Sequence, residues 1–381
     1  MGGLVAYGGD PRLVASRQEI ERIQSHLSNI SSELVSGAWH LLPNPIQRTQ
    51  LNLHLPELEY QLGKTRVALS AAAESYFTTD AKISHALETL GHAIHRLPWL
   101  GHLIPKGAAW VAYGTSMFAP SDIAAQSTRT LVATTGIPKD VAHDRPVHYS
   151  RVESTKHSEA SNLYDIGSRL SELNHQSREI RIETYAGLSG KETFLVYLPG
   201  TQTFNPLPGQ NPFDPTTDAM LATDPKNSEL LKAITKAMHE AGAIGKDVIL
   251  AGYSLGGIAA ANIAASGEFN VTGLVTIGSP IGGVELQESI PVLSVEHSND
   301  PVPAATGESN PLKANWVTTS RELQLKPGEF AMDAHELSHY KVTLALTDQS
   351  ELTGVKRVRE LILDQLAGKQ LTETQTFEFG R

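Results

Sequence analysis

The sequence contains no cysteine, and basic residues are outnumbered by acidic ones. It has 31 Lys and Arg residues against 41 Asp and Glu residues, which gives a formal net charge of −10. The absence of cysteine excludes disulfide bonds, thiolate catalysis and cysteine-ligated metals, although it leaves the cellular compartment open. The acidic balance argues against a nucleic-acid partner, because no broad positive field is available to attract a phosphate backbone.

Long hydrophobic runs are also missing. The longest apolar stretch, residues 107–120, is interrupted by Gly, Thr and Ser and is too short to span a bilayer as a helix. The N-terminus lacks the basic start and the continuous apolar stretch of a secretory signal peptide. We therefore expect no integral membrane segment and no signal peptide, and a protein that is either cytoplasmic or exported by a non-classical route.

The chain of 381 residues, of which 40% are hydrophobic, is long enough for two domains. The pattern of residues 1–130 predicts a helical region made of helical hairpins. Apolar residues recur at spacings of three, four and seven over residues 11–42, and similar stretches follow at 56–76 and 80–97. No strand pattern is visible in this region. Its apolar helix faces make it a candidate for binding a protein partner.

Residues 131–179 are polar and predict a connector with some helix, such as Tyr164 to Leu173. Three histidines here, His143, His148 and His157, could suggest a metal site. Nothing in their spacing places them on one helix face, and cysteine ligands are absent, so a solvated linker is the preferred interpretation. We therefore expect no metal site.

Residues 180–381 alternate short β-rich runs with helical runs. The predicted strands are residues 180–185, 193–198, 247–252, 271–278, 291–297 and 314–319, and the predicted helices are 227–241, 255–265 and 351–366. Alternating strands and helices with nearly continuous apolar strands are typical of a parallel sheet that is covered on both faces. The sequence therefore predicts an α/β fold, with a doubly wound, mostly parallel sheet in residues 180–381.

The segment Gly252-Tyr253-Ser254-Leu255-Gly256 follows a buried strand and opens a helix rich in small residues. A serine on a sharp strand-to-helix turn has strained backbone angles and close neighbours, so the flanking positions Gly252 and Gly256 must be glycine. The turn lifts the serine hydroxyl above the sheet, and the helix N-terminus favours developing negative charge. We predict that Ser254 is a nucleophile; the alternative is a glycine-rich turn without chemistry.

A serine hydroxyl is a weak nucleophile and requires a histidine base that is oriented by an acid. Asp300 lies just beyond a predicted strand, and prolines stiffen the segment that follows it, which makes it the candidate acid. A simple turn aspartate is the alternative. Two histidines, His335 and His339, follow the next strand. His335 is preferred as the base because it lies in the loop, whereas His339 falls on a helix predicted to begin near Leu337.

An acyl-transfer site also needs backbone N–H groups that stabilise an oxyanion. One is predicted at Leu255, the residue after the nucleophile. The other is predicted in the turn after strand 193–198, where Gly200 permits close approach and the amide of Thr201 or Gln202 points at the substrate oxygen. An ordinary strand-end turn is the alternative.

These residues resemble those of the α/β-hydrolase superfamily, and within it those of class 3 lipases and related actinobacterial esterase-like proteins. The resemblance covers about residues 180–366. It rests on YLPGTQ (197–202), which is similar to the lipase oxyanion strand, on the elbow GYSLGG (252–257), and on NDPVP (299–303), which is similar to the segment that carries the lipase acid.

A final histidine followed a few residues later by tyrosine, here His335 and Tyr340, is also frequent in such proteins. Pro199 departs from the pattern, since the lipase strand usually has Arg before the glycine. The resemblance implies hydrolysis of a small-molecule or lipid ester through an acyl-enzyme, without a cofactor. In this interpretation the Pro-rich loop 204–224 forms a lid or a pocket wall.

Two other functions stay open. The helical region loosely resembles the small hairpins exported by type VII secretion, with Trp39 near a turn and Tyr76 four residues before Asp80. The protein could accordingly be an interaction or exported protein in which this helical region is the working part. A thioesterase or a peptidase that uses the same triad is the other alternative, because the triad is shared among acyl substrates.

Overall fold

The computed structural model of the protein describes residues 4–10, 25, 145–155, 158–174, 177–188, 190–203, 209–306, 308–326 and 328–381. The chain divides into two units, and one of them, Met1–Asp10 with Leu90–Arg381, contains every element described below. The helical hairpins predicted for residues 1–130 lie outside the described residues, which include only residues 4–10 and Ser25 of that region.

The strands of the described residues form one sheet. They are β1 (Val5–Gly8), β2 (His148–Val152), β3 (Glu179–Ala186), β4 (Glu192–Leu198), β5 (Asp247–Tyr253), β6 (Asn270–Ile277), β7 (Val292–His297), β8 (Trp316–Arg321) and β9 (Gln370–Gly380). The α-helices of the same residues are α1 (Leu163–Leu173), α2 (Pro215–Thr223), α3 (Glu229–Glu240), α4 (Leu255–Ser266), α5 (Leu337–Asp348) and α6 (Thr353–Leu363). None of these helices combines the length and the apolar character that crossing a membrane demands.

The sheet is mixed and largely parallel. Its strand order is β1-β8-β7-β6-β5-β4-β3-β9-β2. The five central strands, β4 to β8, run parallel to one another. The peripheral strands pair antiparallel with their neighbours. The predicted parallel arrangement is therefore confirmed for the centre of the sheet, whereas β3, predicted at 180–185, runs antiparallel to β4.

Helices cover both faces of the sheet. Helices α2, α3 and α4 contribute to the hydrophobic core on one face, and α1, α5 and α6 contribute to the core on the other. Successive residues of β5 alternate between these cores: Val248 and Leu250 belong to the first, Ile249 and Ala251 to the second. A strand buried on both faces has an almost continuous apolar sequence, so the pattern of residues 247–252 identified it correctly. The predicted α/β class is confirmed at this level.

The sheet extends beyond the domain boundary predicted at residue 180. The strand β1 lies in the region predicted to be wholly helical, and β2 and α1 lie in the predicted connector. These segments belong to the α/β unit, and the boundary is wrong for them. The reason is physical: an edge strand such as β2 has one neighbour and exposes three of its five residues, so its sequence HYSRV is polar and resembles a linker. The helix predicted over Tyr164 to Leu173 is confirmed as α1.

Candidate active site

Three parallel strands place the predicted catalytic residues at one edge of the sheet. Leu198 at the end of β4 lies beside Gly252 of β5, and Tyr253 lies beside Ile277 of β6. Ile277 in turn lies beside Val295 of β7. Because the carboxyl ends of parallel strands meet at the same edge, the turns that follow β4, β5 and β7 come together there.

The turn between β5 and α4 holds Ser254 in a strained backbone conformation. Its φ is 52° and its ψ is −121°, and among the described residues it is one of two non-glycine residues with positive φ. A Cβ atom at Gly252 would lie 2.3 Å from the Gly256 carbonyl oxygen, and one at Gly256 would lie 2.0 Å from the Leu198 oxygen. The two predicted glycines are therefore required by close backbone approach.

Ser254, His335 and Asp300 form a continuous chain of hydrogen bonds, which we call the triad. The Oγ of Ser254 lies 2.9 Å from Nε2 of His335, and Nδ1 of His335 lies 2.7 Å from Oδ2 of Asp300. All three side chains are buried. A carboxylate only accepts hydrogen bonds, so Nδ1 donates to Asp300 and Nε2 accepts from the Ser254 hydroxyl. This is the tautomer that a histidine base requires.

The geometry distinguishes His335 from His339. His335 is the last residue of the short 3-10 helix Ala331–His335, before α5 begins. The Tyr253 ring stacks on its imidazole at 5.0 Å, and the Tyr253 hydroxyl donates to the His335 carbonyl oxygen at 2.5 Å. His339 lies in the first turn of α5, where the hydrogen bonds recorded in the described residues involve only its backbone. His335 is therefore the histidine that contacts both Ser254 and Asp300.

Asp300 is held by more than the histidine. The Tyr340 hydroxyl donates to Oδ2 of Asp300 at 2.6 Å, and the backbone N–H of Val302 donates to Oδ1 at 2.8 Å. Burial, reinforced by the negative charge of Asp300, raises the pKa of Tyr340 well above its usual value. The hydroxyl therefore stays protonated and remains a donor to the carboxylate. Asp300 is both a turn residue and the partner of His335.

Gln202 does not supply an oxyanion donor, which corrects one of the two alternatives for the second N–H group. Its backbone N–H donates to the Phe213 carbonyl oxygen at 2.8 Å. Its side-chain Nε2 donates to the Leu173 oxygen at 2.9 Å, and its Oε1 accepts from the Arg178 N–H at 2.9 Å. These partners are distant in sequence, so no local sequence pattern predicts these hydrogen bonds. Gln202 holds the turn in place instead.

Thr201 and Leu255 remain as the candidate oxyanion donors. In the described part of the chain, the Thr201 N–H has no recorded acceptor, and the Thr201 hydroxyl donates to Oδ2 of Asp218 at 2.8 Å. Leu255 is the first residue of α4, where an N–H group has no partner within its own helix. Leu255 directly follows Ser254, and Thr201 lies in the turn after β4, whose last residue, Leu198, lies beside Gly252 of β5.

Asp218 is a functional candidate that sequence reasoning missed. It lies on α2, inside the loop predicted as a lid, and residues 204–208 of that loop lie outside the described residues. Burial, with a smaller contribution from the charge of Asp214, raises the pKa of Asp218 to about 7, although the Thr201 hydroxyl and His335 oppose the shift. The carboxyl beside Thr201 therefore changes its charge close to neutral pH. No spacing in the sequence connects Asp218 with Thr201, so only the folded chain reveals the pair.

No group of three or more His, Asp or Glu side chains is arranged to hold a metal ion in the part of the chain that the structure describes.

Comparison with known proteins finds no match: no family model, no curated protein and no solved structure is significantly similar to this chain. The functional assignment therefore depends on the geometry of the site.

Proposed function

We propose that this protein is a serine hydrolase of the α/β-hydrolase type that cleaves carboxylic esters, as its resemblance to class 3 lipases implies. The observation that carries the proposal is the triad: Ser254 Oγ to His335 Nε2 at 2.9 Å, and His335 Nδ1 to Asp300 Oδ2 at 2.7 Å. The strained backbone of Ser254 supports it, because strain of this kind persists at sites where a side chain must be aimed.

In the proposed reaction, the Ser254 oxygen attacks the ester carbonyl carbon while Nε2 of His335 takes the hydroxyl proton. The carbonyl oxygen becomes an oxyanion, which accepts hydrogen bonds from the N–H groups of Thr201 and Leu255. The tetrahedral intermediate collapses when the ester C–O bond breaks and His335 returns the proton to the leaving alcohol. The acyl group stays on Ser254 until a water molecule, deprotonated by His335, attacks its carbonyl carbon. The bond between this carbon and the Ser254 oxygen then breaks, His335 returns the proton to that oxygen, and the acid is released.

The remaining groups lower the energy of charged intermediates in this scheme. Asp300 keeps His335 in the tautomer that accepts the serine proton and stabilises the imidazolium that forms. The N-terminus of α4 faces the developing oxyanion with its partial positive charge. The buried surroundings of Ser254 and His335 strengthen these interactions, because little water screens them.

The direct test is covalent labelling of Ser254 by a fluorophosphonate probe, with hydrolysis of p-nitrophenyl esters measured in parallel. We expect Ser254→Ala to abolish labelling and to lower kcat by roughly 10⁴-fold or more, because the nucleophile is lost. Ser279→Ala is the matched control, since Ser279 is also a buried serine close to the elbow and its hydroxyl donates to the Ile277 oxygen. It should retain labelling and most activity.

Continued labelling of the Ser254→Ala variant would disprove the assignment of the nucleophile. A wild-type protein that neither binds the probe nor hydrolyses any ester would refute the proposed function as a whole. A panel of p-nitrophenyl esters of increasing acyl length then identifies the preferred acyl group, which depends on the pocket wall rather than on the triad.

A further inference from the structure

His297 is a buried histidine that the proposed reaction does not use. It ends β7, three residues before Asp300, and its side chain is 1% exposed. One ring nitrogen, Nδ1, lies 2.7 Å from the Ala334 carbonyl oxygen, and the other, Nε2, lies 2.7 Å from the Thr343 hydroxyl. Its ring stacks on that of Tyr340, with centroids 3.9 Å apart and planes 9° from parallel. Every polar atom of this imidazole therefore has a partner.

The ring is uncharged at neutral pH. Burial, with smaller contributions from the charges of Arg321 and His339, lowers the pKa of His297 to about 4, although the Ala334 carbonyl and Asp300 oppose the shift. A carbonyl oxygen only accepts hydrogen bonds, so Nδ1 carries the proton and donates to Ala334. Nε2 of the neutral ring then accepts from the Thr343 hydroxyl. The ring thus has one fixed tautomer, with a donor on one side and an acceptor on the other.

These contacts reach both the base and the acid of the triad. Ala334 directly precedes His335, so the bond from Nδ1 to its carbonyl oxygen fixes the peptide plane that enters His335. The backbone N–H of His297 donates to the Tyr340 hydroxyl at 3.0 Å, and that hydroxyl donates to Asp300 at 2.6 Å. His297 therefore restrains both the backbone that enters His335 and the Tyr340 hydroxyl that donates to Asp300.

We propose that His297 is a positioning residue of this site, which holds His335 at hydrogen-bond distance from both Ser254 and Asp300. The predicted effect on catalysis rests on the proposed function, whereas the placement of His335 by His297 does not. A base must meet its two partners within a few tenths of an ångström, and a displaced catalytic group loses rate although it still binds substrate. The loss of His297 should therefore lower kcat and leave KM nearly unchanged.

Three substitutions of His297 separate the contributions of the hydrogen bonds made by its two ring nitrogens. His297→Phe keeps an aromatic ring against Tyr340 and removes both ring hydrogen bonds. His297→Asn keeps a donor near the place of Nδ1, whereas His297→Gln keeps a polar group near the place of Nε2. We expect kcat to fall by about tenfold to a hundredfold in the Phe variant, with KM changed less than about twofold. The Asn variant should retain more activity than the Gln variant, because it keeps the bond on the His335 side.

Helix α5 offers a matched pair of controls. Thr343 and Thr347 lie one turn apart, and both are fully buried. Thr343→Val removes the partner of Nε2, and Thr347→Val removes a hydroxyl that donates to the Thr343 carbonyl oxygen at 2.8 Å and does not touch His297. Both changes preserve the shape of the side chain. We expect Thr343→Val to lower kcat by a few-fold and Thr347→Val to leave it unchanged, although both variants are destabilised.

A readout without turnover is the downfield proton resonance of the His335 Nδ1–H bonded to Asp300, recorded for the wild type and for the His297 variants. We expect it to broaden or vanish in His297→Phe and to persist in His297→Asn. Equal kcat values and equal resonances in the Phe and Asn variants, at matched stability, would overturn the inference. If the wild type shows the resonance but cleaves no ester, the proposed function fails while this experiment still decides whether His297 holds His335.

Discussion

Two buried carboxylates of this protein lie among the same group of core residues, and each accepts hydrogen bonds from tyrosine. Glu183 accepts from Tyr185 at 2.7 Å and from Tyr197 at 2.9 Å. Asp300 accepts from Tyr340 at 2.6 Å. All three tyrosines belong to the core that α1, α5 and α6 build on one face of the sheet. Burial and tyrosine donors alone therefore do not distinguish a structural carboxylate from a catalytic one.

The cationic partner makes the difference. Glu183 pairs with Arg169, whose Nε lies 3.0 Å from Oε1, and a guanidinium cannot take up or release a proton under physiological conditions. Asp300 pairs with His335, whose second nitrogen reaches Ser254. A histidine changes its charge readily near neutral pH, so only the second cluster can transfer a proton. Similar carboxylates thus stabilise the fold in one place and serve the proposed chemistry in the other.

The contrast between Glu183 and Asp300 is tested most strongly by neutralising each carboxylate in turn. Asp300→Asn should lower kcat/KM by roughly 10³ to 10⁴-fold, because His335 then adopts the wrong tautomer. Glu183→Gln should leave kcat/KM within a few-fold of the wild type and cost about 3–5 kcal/mol of unfolding free energy, because Arg169 stays buried without its counter-charge. Ester hydrolysis and urea unfolding measure the two effects. A large loss of activity in Glu183→Gln with intact folding would show that the two clusters are not separate in role.

Removing one tyrosine hydroxyl from each cluster tests the same contrast with a smaller change. Tyr340→Phe and Tyr197→Phe each remove one fully buried hydroxyl that donates to a carboxylate, so each should cost about 1–3 kcal/mol of unfolding free energy. Only Tyr340→Phe should also lower kcat/KM, by up to about tenfold, which corresponds to about 1.4 kcal/mol of activation free energy. Kinetics at a temperature where both variants are folded separates the effects. Equal kinetics in the two variants would contradict a role for Tyr340 in holding Asp300.

A third carboxyl, Asp218, has a neutral partner, the Thr201 hydroxyl, and gives the smallest predicted effect. Because its pKa is raised to about 7, the folded protein binds more protons at this group than the unfolded chain between about pH 4 and pH 7. The contribution of Asp218 to stability therefore falls as the pH rises through this window. The free energy of unfolding of Asp218→Asn, relative to the wild type, should increase from pH 4 to pH 7 and then level off. A constant difference in thermal unfolding across this range would exclude the raised pKa.

Local sequence carries enough information to select Ser254, Asp300 and two histidines, of which His335 is preferred, as candidate catalytic residues. A strand, a turn with glycines at fixed positions and a helix can be recognised within a dozen residues, and this is the setting in which Ser254 is found. Asp300 and His335 follow from strand order, because parallel strands bring their carboxyl ends to one edge. The side chains of Ser254, Asp300 and His335 therefore meet as the sequence predicts.

The turn after β4, where an oxyanion donor is predicted, shows the limit of such reasoning. Thr201 and Gln202 are adjacent and equally suited by sequence, but only Gln202 donates its N–H to the Phe213 oxygen. That acceptor comes from a different segment of the chain. Likewise, β1 and β2 were missed because edge strands carry a weak pattern and are recognised only by the strand beside them.

The sequence by itself determined the residue types, their order, the central strands β4 to β8 and the helices α1, α3, α4 and α6, because hydrophobic periodicity and glycine turns are local properties. Only the tertiary structure decided which histidine contacts Ser254, which backbone N–H groups near it lack an acceptor in the described residues, and which residues hydrogen-bond to the triad. His297, Tyr340 and Asp218 each make hydrogen bonds to segments distant in sequence. The reason is that hydrogen-bond distance and burial depend on the packed chain, and no spacing along the sequence encodes them.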